Sequence, residues 1–171
     1  MMQLLKNDIL IFLNTLNSKL KRKITLIAVG ETAMVLLDLK KSTDDMDFNI
    51  PLEIDYREFQ KIINEIEPEI KIDYYTSNMI FSEVLPTDYI KIAIKCNVQF
   101  DRINIYALNP IDIICSKIGR LNESDIEDIK ACINYSKFSK SQIKERAMQY
   151  EHVGSDESYY QNLEYVLKIL F

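Results

Sequence analysis

The apolar residues of this chain keep two periods, and the change of regime falls at Pro110. Before it, helical spacing alternates with the period of two that puts every second side chain on one face of a strand. After it, only helical spacing remains. Leu4, Leu5, Ile9, Phe12, Leu13, Leu16 and Leu20 line one face of a first helix. Ile24 to Val29 is a short apolar run ending at Gly30, which suits a buried strand. A helix over Thr32–Leu39 follows, then an alternating strand from Asp45 to Ile50, then a helix over 55–66. Ile70–Tyr75, Ile90–Lys95 and Ile103–Leu108 alternate again and read as strands.

Beyond Pro110 the spacing predicts helices near 110–119, 124–135, 140–152 and 157–170, with Pro110 in a first turn and Gly119 and Gly154 as C-terminal caps. This order predicts an α+β fold: a mixed β-sheet with flanking helices and a helical C-terminal part. The expected organisation is a single domain, with an α/β core over 1–109 and helices over 110–171 packed on it.

The 171 residues suffice for one sizeable core. Three cysteines, Cys96, Cys115 and Cys132, stand far apart, and His152 is the single histidine. A zinc cluster, a disulfide framework and paired-histidine hydrolases are thereby excluded, and Ser-His or Cys-His catalysis is disfavoured. Chemistry would fall to carboxylates, lysines and a hard metal. The net charge of −5 argues against a surface given over wholly to nucleic acid. That charge is uneven: residues 1–43 hold seven basic and three acidic side chains, residues 44–88 three and twelve, residues 89–171 eleven of each. No segment reads as a signal peptide or a membrane span, so a cytoplasmic protein without membrane contact is expected.

One arrangement stands above this background: strand, Gly30, helix, and then Asp45-Met46-Asp47-Phe48 on the next strand. Asp45 and Asp47 share a strand face and present two carboxylates to one point. Like charges so close raise a pKa, and a Mg²⁺ ion, which prefers oxygen ligands, relieves the repulsion. The other reading is a solvated strand face. Gly30 opens a helix, where free backbone N–H groups favour phosphate, although a plain tight turn also uses glycine. Asp73, on a third alternating strand, either completes a triad of carboxylates or sits exposed at an edge.

Val29-Gly30-Glu31-Thr32-Ala33-Met34 followed by Ser42-Thr43-Asp44-Asp45-Met46-Asp47-Phe48 resembles the hG[GS]…DhDh signature of the polymerase-β-like nucleotidyltransferase superfamily. More narrowly it is similar to the toxin-type, AbiEii-like members. The likeness continues through Leu108-Asn109-Pro110-Ile111-Asp112-Ile113-Ile114-Cys115-Ser116-Lys117-Ile118-Gly119-Arg120 and Ser124-Asp125-Ile126-Glu127-Asp128-Ile129. The resemblance implies that Asp45, Asp47 and Asp73 hold Mg²⁺ or Mn²⁺ and that Asp73 helps to activate the attacking hydroxyl. It implies that Gly30, Glu31 and Thr32 hold the phosphates of an NTP, with Lys117 facing the triphosphate and Arg120 assisting it. For Lys117 and Arg120, ion pairs to Asp125 or Asp128 on a helix face are the competing expectation.

Two departures stand out. Glu31 occupies a position that is Gly or Ser in the family, and Ser124 stands where relatives carry arginine. Two functions remain open on this evidence. One is transfer of an NMP from an NTP to a hydroxyl on RNA or protein. The other is a catalytically degenerate member serving as a binding or regulatory module, as in a toxin–antitoxin pair with an antitoxin-like partner. A dimer through the C-terminal helices is a third idea. His152 is expected at a helix end, Tyr75 at a half-buried position with base stacking as its alternative, and the run Lys19, Lys21, Arg22, Lys23 at a solvated helix end with RNA contact as its alternative.

Overall fold

A computed structural model describes residues 2–171. The chain begins with β1 (Leu4–Leu5), α1 (Lys6–Lys19), β2 (Ile24–Ala28), α2 (Gly30–Leu36), β3 (Ser42–Thr43), β4 (Met46–Ile50) and α3 (Glu53–Ile66). It continues with β5 (Ile72–Thr76), β6 (Met79–Ile80), β7 (Glu83–Val84), α4 (Tyr89–Ile92), β8 (Ile94–Lys95) and β9 (Ile103–Ala107). The last part holds α5 (Pro110–Ile118), α6 (Glu123–Ser136), α7 (Lys140–Ala147), β10 (Glu151–His152) and α8 (Asp156–Leu170). This is an α+β fold built on a mixed five-stranded sheet in the order β5-β4-β2-β9-β8, with β4–β5 and β2–β9 parallel and β2–β4 and β8–β9 antiparallel.

Burial explains the strand sequences. Every residue of β4 is buried, so both sheet faces are covered there. Phe48 packs on Phe12 of α1 and Phe59 of α3, with ring centroids 6.2 and 6.0 Å apart. Asp47 and Asn49 point to the opposite face. Asn49 is satisfied there by donating to the carbonyls of Ser77 and Met79 and accepting from the Tyr89 hydroxyl. α5 is buried along most of its length and packs on α6, α7 and α8. Arg146 of α7 fastens α7 to α5 and to the start of α4: its guanidinium forks onto Asp112 at 2.7 and 2.9 Å and reaches Asp88 at 2.8 Å. Asp112 is fully buried and also accepts from the Tyr150 hydroxyl. No helix among the described residues is long and apolar enough to cross a membrane.

Several boundaries differ from those expected. The first helix starts at Lys6, because Leu4–Leu5 pairs antiparallel with Ser42–Thr43; Leu5 is consequently exposed rather than on the buried face. The second helix begins at Gly30 and ends at Leu36. Ile90–Lys95 is not one strand: α4 occupies Tyr89–Ile92 and only Ile94–Lys95 pairs with β9. The helical turn carries Tyr89 inward, where its hydroxyl donates toward Asn49 and Ser77. The expected 140–152 helix ends at Ala147, since Tyr150 turns into the core and Glu151–His152 pairs with β7. His152 therefore lies in a strand, its ring tilted against that of Tyr159 with centroids 3.8 Å apart. Gly154 precedes α8 and caps no helix, whereas Gly119 does close α5, with an ordinary helical φ of −61°.

Candidate active site

A cavity of about 630 Å³ opens beside the edge strand β5, walled by the ends of β4 and β5, the start of α2, the β6–β7 turn and the end of α5. Its carboxylates follow directly from strand pairing. β4 and β5 run parallel with Asp47 directly opposite Asp73, so the two side chains leave the same face of the sheet. Asp45 precedes Asp47 by two residues. Asp45, Asp47 and Asp73 each offer an oxygen within 4.8 Å of the others, a cluster able to hold a metal ion.

The geometry is fastened from behind. Val29 N–H donates to the Asp47 carbonyl, and the Thr32 hydroxyl accepts from Asp47 N–H at 2.9 Å. Thr32 is fully buried and is not among the residues lining the cavity; its hydroxyl positions the carboxylate strand. Gly30 has φ +55°, a left-handed conformation that favours glycine. A Cβ there would meet Asp47 Oδ2 and the Phe81 ring at 3.4 Å, ordinary contact distance, so the backbone conformation rather than the space calls for glycine.

Charge in this wall is unbalanced. Burial, reinforced by Asp45 and Asp73, pushes the Asp47 carboxyl up to about 7. Its Oδ1 is buried and has no hydrogen-bond partner. Among the described residues the one cation against the cluster, Lys71, is mostly exposed and lies 2.9 Å from Asp73 and 3.9 Å from Asp45. An orphaned buried oxygen among three carboxylates fits a hard divalent cation, which takes oxygen ligands and offsets their repulsion. Burial, with the same three carboxylates behind it, also pushes the Tyr75 phenol up to about 12.

The opposite wall is compensated. Glu31, Lys40, Asp128, Lys117, Asp125 and Arg120 form a chain of alternating charge with successive contacts of 3.2, 2.9, 2.9, 3.4 and 2.6 Å. Lys117 is only 6% exposed and is held by both Asp125 and Asp128. Arg120 forks onto Asp125 but keeps a largely exposed side chain. Burial alone would lift Asp125, yet hydrogen bonds from Arg120 and Asn122 and the nearby Lys117 charge hold its carboxyl below the usual range. Glu31, Lys117 and Arg120 all line the cavity, and Glu31 is paired with Lys40. Ser124 is exposed in the first turn of α6.

Two contributors escape sequence reasoning. Lys40 joins α6 to the segment before β3 across 88 residues, which no local pattern announces. Glu83, in a stretch without clear periodicity, is 3% exposed, and burial pushes its carboxyl up to about 8. Its Oε2 has no hydrogen-bond partner.

No curated protein and no solved structure matches the chain. A family model does match, over residues 6–168, which takes in both walls of the cavity. The chain belongs to that family, described as nucleotidyltransferase of unknown function (DUF6036).

Proposed function

We propose that the protein is a divalent-cation-dependent nucleotidyltransferase that moves an NMP from an NTP to a hydroxyl of RNA or protein in the cytoplasm and releases pyrophosphate. The observation that carries this reading is the convergence of Asp45, Asp47 and Asp73, with Asp47 buried and one of its oxygens unpartnered. These three residues would hold Mg²⁺ or Mn²⁺, which when bound supplies charge stabilisation to the transferring phosphoryl group. Asp73 receives the proton of the attacking hydroxyl. The hydroxyl oxygen bonds to the α-phosphorus as the bond to the bridging oxygen breaks, and pyrophosphate departs with that electron pair. Gly30 leaves its backbone open to the phosphates, and Glu31 does not oppose them with a free charge because Lys40 neutralises it. Arg120, which forks onto Asp125 but keeps a largely exposed side chain, would exchange that partner for the triphosphate. Lys117, anchored by two carboxylates, keeps that wall rigid. The chain works as one unit, residues 1–109 supplying the carboxylates and 110–171 the cations.

A second reading rests on the same cations. Lys117 and Arg120 are both engaged with carboxylates, which favours a member that binds a partner, such as an antitoxin-like protein, without turnover. Transfer of label from each of four α-³²P NTPs into RNA and into protein, with Mg²⁺ or Mn²⁺, separates the two. Label present with the native chain and absent with the Asp45→Ala, Asp47→Ala double variant establishes the transferase. No label from any NTP, with biological effect intact in Asp45→Ala, establishes the binding module.

A further inference from the structure

The cavity also contains a buried carboxyl that the proposed metal site does not use. Glu83 lies on β7 rather than on the carboxylate strands, lines the cavity, and is 97% buried by accessible area, its residual exposure being 3%. No protein group hydrogen-bonds its Oε2. A carboxyl removed from water without a partner is costly, so the fold gains nothing in stability from placing it there.

The surroundings nonetheless make room for it. An ideal Cβ on Gly119 would lie 2.5 Å from Glu83 Oε1, closer than real Cβ contacts come. Gly119 has φ −61°, which any residue adopts, so the helix geometry does not call for glycine there. The glycine matters because it leaves the space that the Glu83 carboxyl fills. On the same cavity wall the rings of Tyr75 and Phe81 lie 5.4 Å apart, and Phe81 is held in a left-handed backbone (φ +50°) that disfavours a bulky residue.

We propose that Glu83 is the specificity-determining residue of the nucleotide site, hydrogen-bonding the polar edge of the nucleobase from the cavity floor. This rests on the nucleotidyltransferase reading given above. Because burial lifts its carboxyl to about 8, Glu83 holds its proton at neutral pH and offers one donor and one acceptor side by side. That pair matches a base edge that also presents one of each. Phosphate is served elsewhere, by the carboxylate cluster with its cation, and a carboxyl lacking a cation beside it is a poor phosphate ligand. The planar rings of Tyr75 and Phe81 are the surfaces on which a base can lie.

The test is equilibrium binding of ATP, GTP, CTP and UTP, each with Mg²⁺, to the full chain. The native protein is expected to prefer one or two of the four. Glu83→Leu should reduce that preference about fivefold to tenfold, the worth of a neutral hydrogen bond or slightly more. Glu83→Gln, which keeps a donor and an acceptor at nearly the same size, should retain it. Gly119→Ala, folding normally because its φ suits alanine, displaces the carboxyl and should weaken the preference by itself. A native protein that binds all four equally, or a Glu83→Leu variant with the native order of affinities, overturns the inference while leaving the nucleotidyltransferase reading standing. Failure of the native protein to bind any of the four overturns both.

Discussion

The two walls of the cavity use charge in opposite ways. On β4 and β5, three carboxylates face one exposed lysine, and a buried oxygen is left without a partner. Across α2, α5, α6 and the segments that follow α2 and α5, three acidic and three basic side chains alternate in contact, and the most buried of them, Asp125, is fully satisfied. The second wall balances its charge within the protein; the first leaves three carboxylates with one lysine against them. Buried charge is therefore not one signal. Compensated, it holds helices together; uncompensated and concave, it marks where a ligand supplies the missing charge.

Breaking the compensated wall should have the largest effect on stability. Asp125→Ala leaves Lys117 with one partner instead of two, frees Arg120 and removes the capping contacts at the start of α6. We expect a loss of about 3 kcal/mol, read by urea unfolding. The same measurement on the other wall should move the opposite way. Native Asp47 keeps its proton to about pH 7, whereas its ordinary value is 3.8. Between those pH values the native state binds more protons than the unfolded chain, so stability falls as pH rises, by at most about 1.4 kcal/mol per pH unit. Asp47→Asn should flatten that slope, raise stability at pH 8 and abolish Mn²⁺ binding followed by calorimetry, whereas a steeper slope in the variant would refute the assignment. Glu83, lifted to about 8 by burial, adds a slope of the same sign that Mn²⁺ should leave largely in place. The smallest effect is expected at the rim. Glu31→Ser removes a partly exposed pair with Lys40 and should cost no more than about 1 kcal/mol in the unfolding measurement.

How much of this was legible in the sequence depends on the range of the contacts. The alternation from Asp45 to Ile50 puts Asp45 and Asp47 on one face, and the alternation at Ile70–Tyr75 puts Asp73 within reach, so the geometry of the carboxylate cluster follows from local pattern. Pro110 likewise marks the start of the helical half. The small sheet of β6, β7 and β10 gave no such signal, because two-residue strands carry no period. Its pairing ends α7 early, places His152 opposite Glu83 and brings Glu83 to the cavity. The Ile90–Lys95 segment misleads because alternation there also suits a single helical turn, and the hydrogen bonds of the Tyr89 hydroxyl decide it. Ion pairs to Asp125 and Asp128 were among the expectations for Lys117 and Arg120. Lys40 and Asp112–Arg146 were not, since their partners lie 88 and 34 residues away.

The parallel pairing of β4 with β5 carries a consequence for the entropy of closing the chain. Gly30, Asp45, Asp47 and Asp73 all lie within residues 30–73, and one helical crossover, α3, joins the two strands that bear the aspartates. The wall across the cavity is tied to this unit by Lys40–Asp128, and the central strand β2 is completed only by β9, nearly eighty residues along the chain. Short loops close at lower entropic cost than long ones. The carboxylate cluster thus rests on contacts of short sequence range with a low closure cost, whereas enclosing the cavity takes contacts from the distant half of the chain.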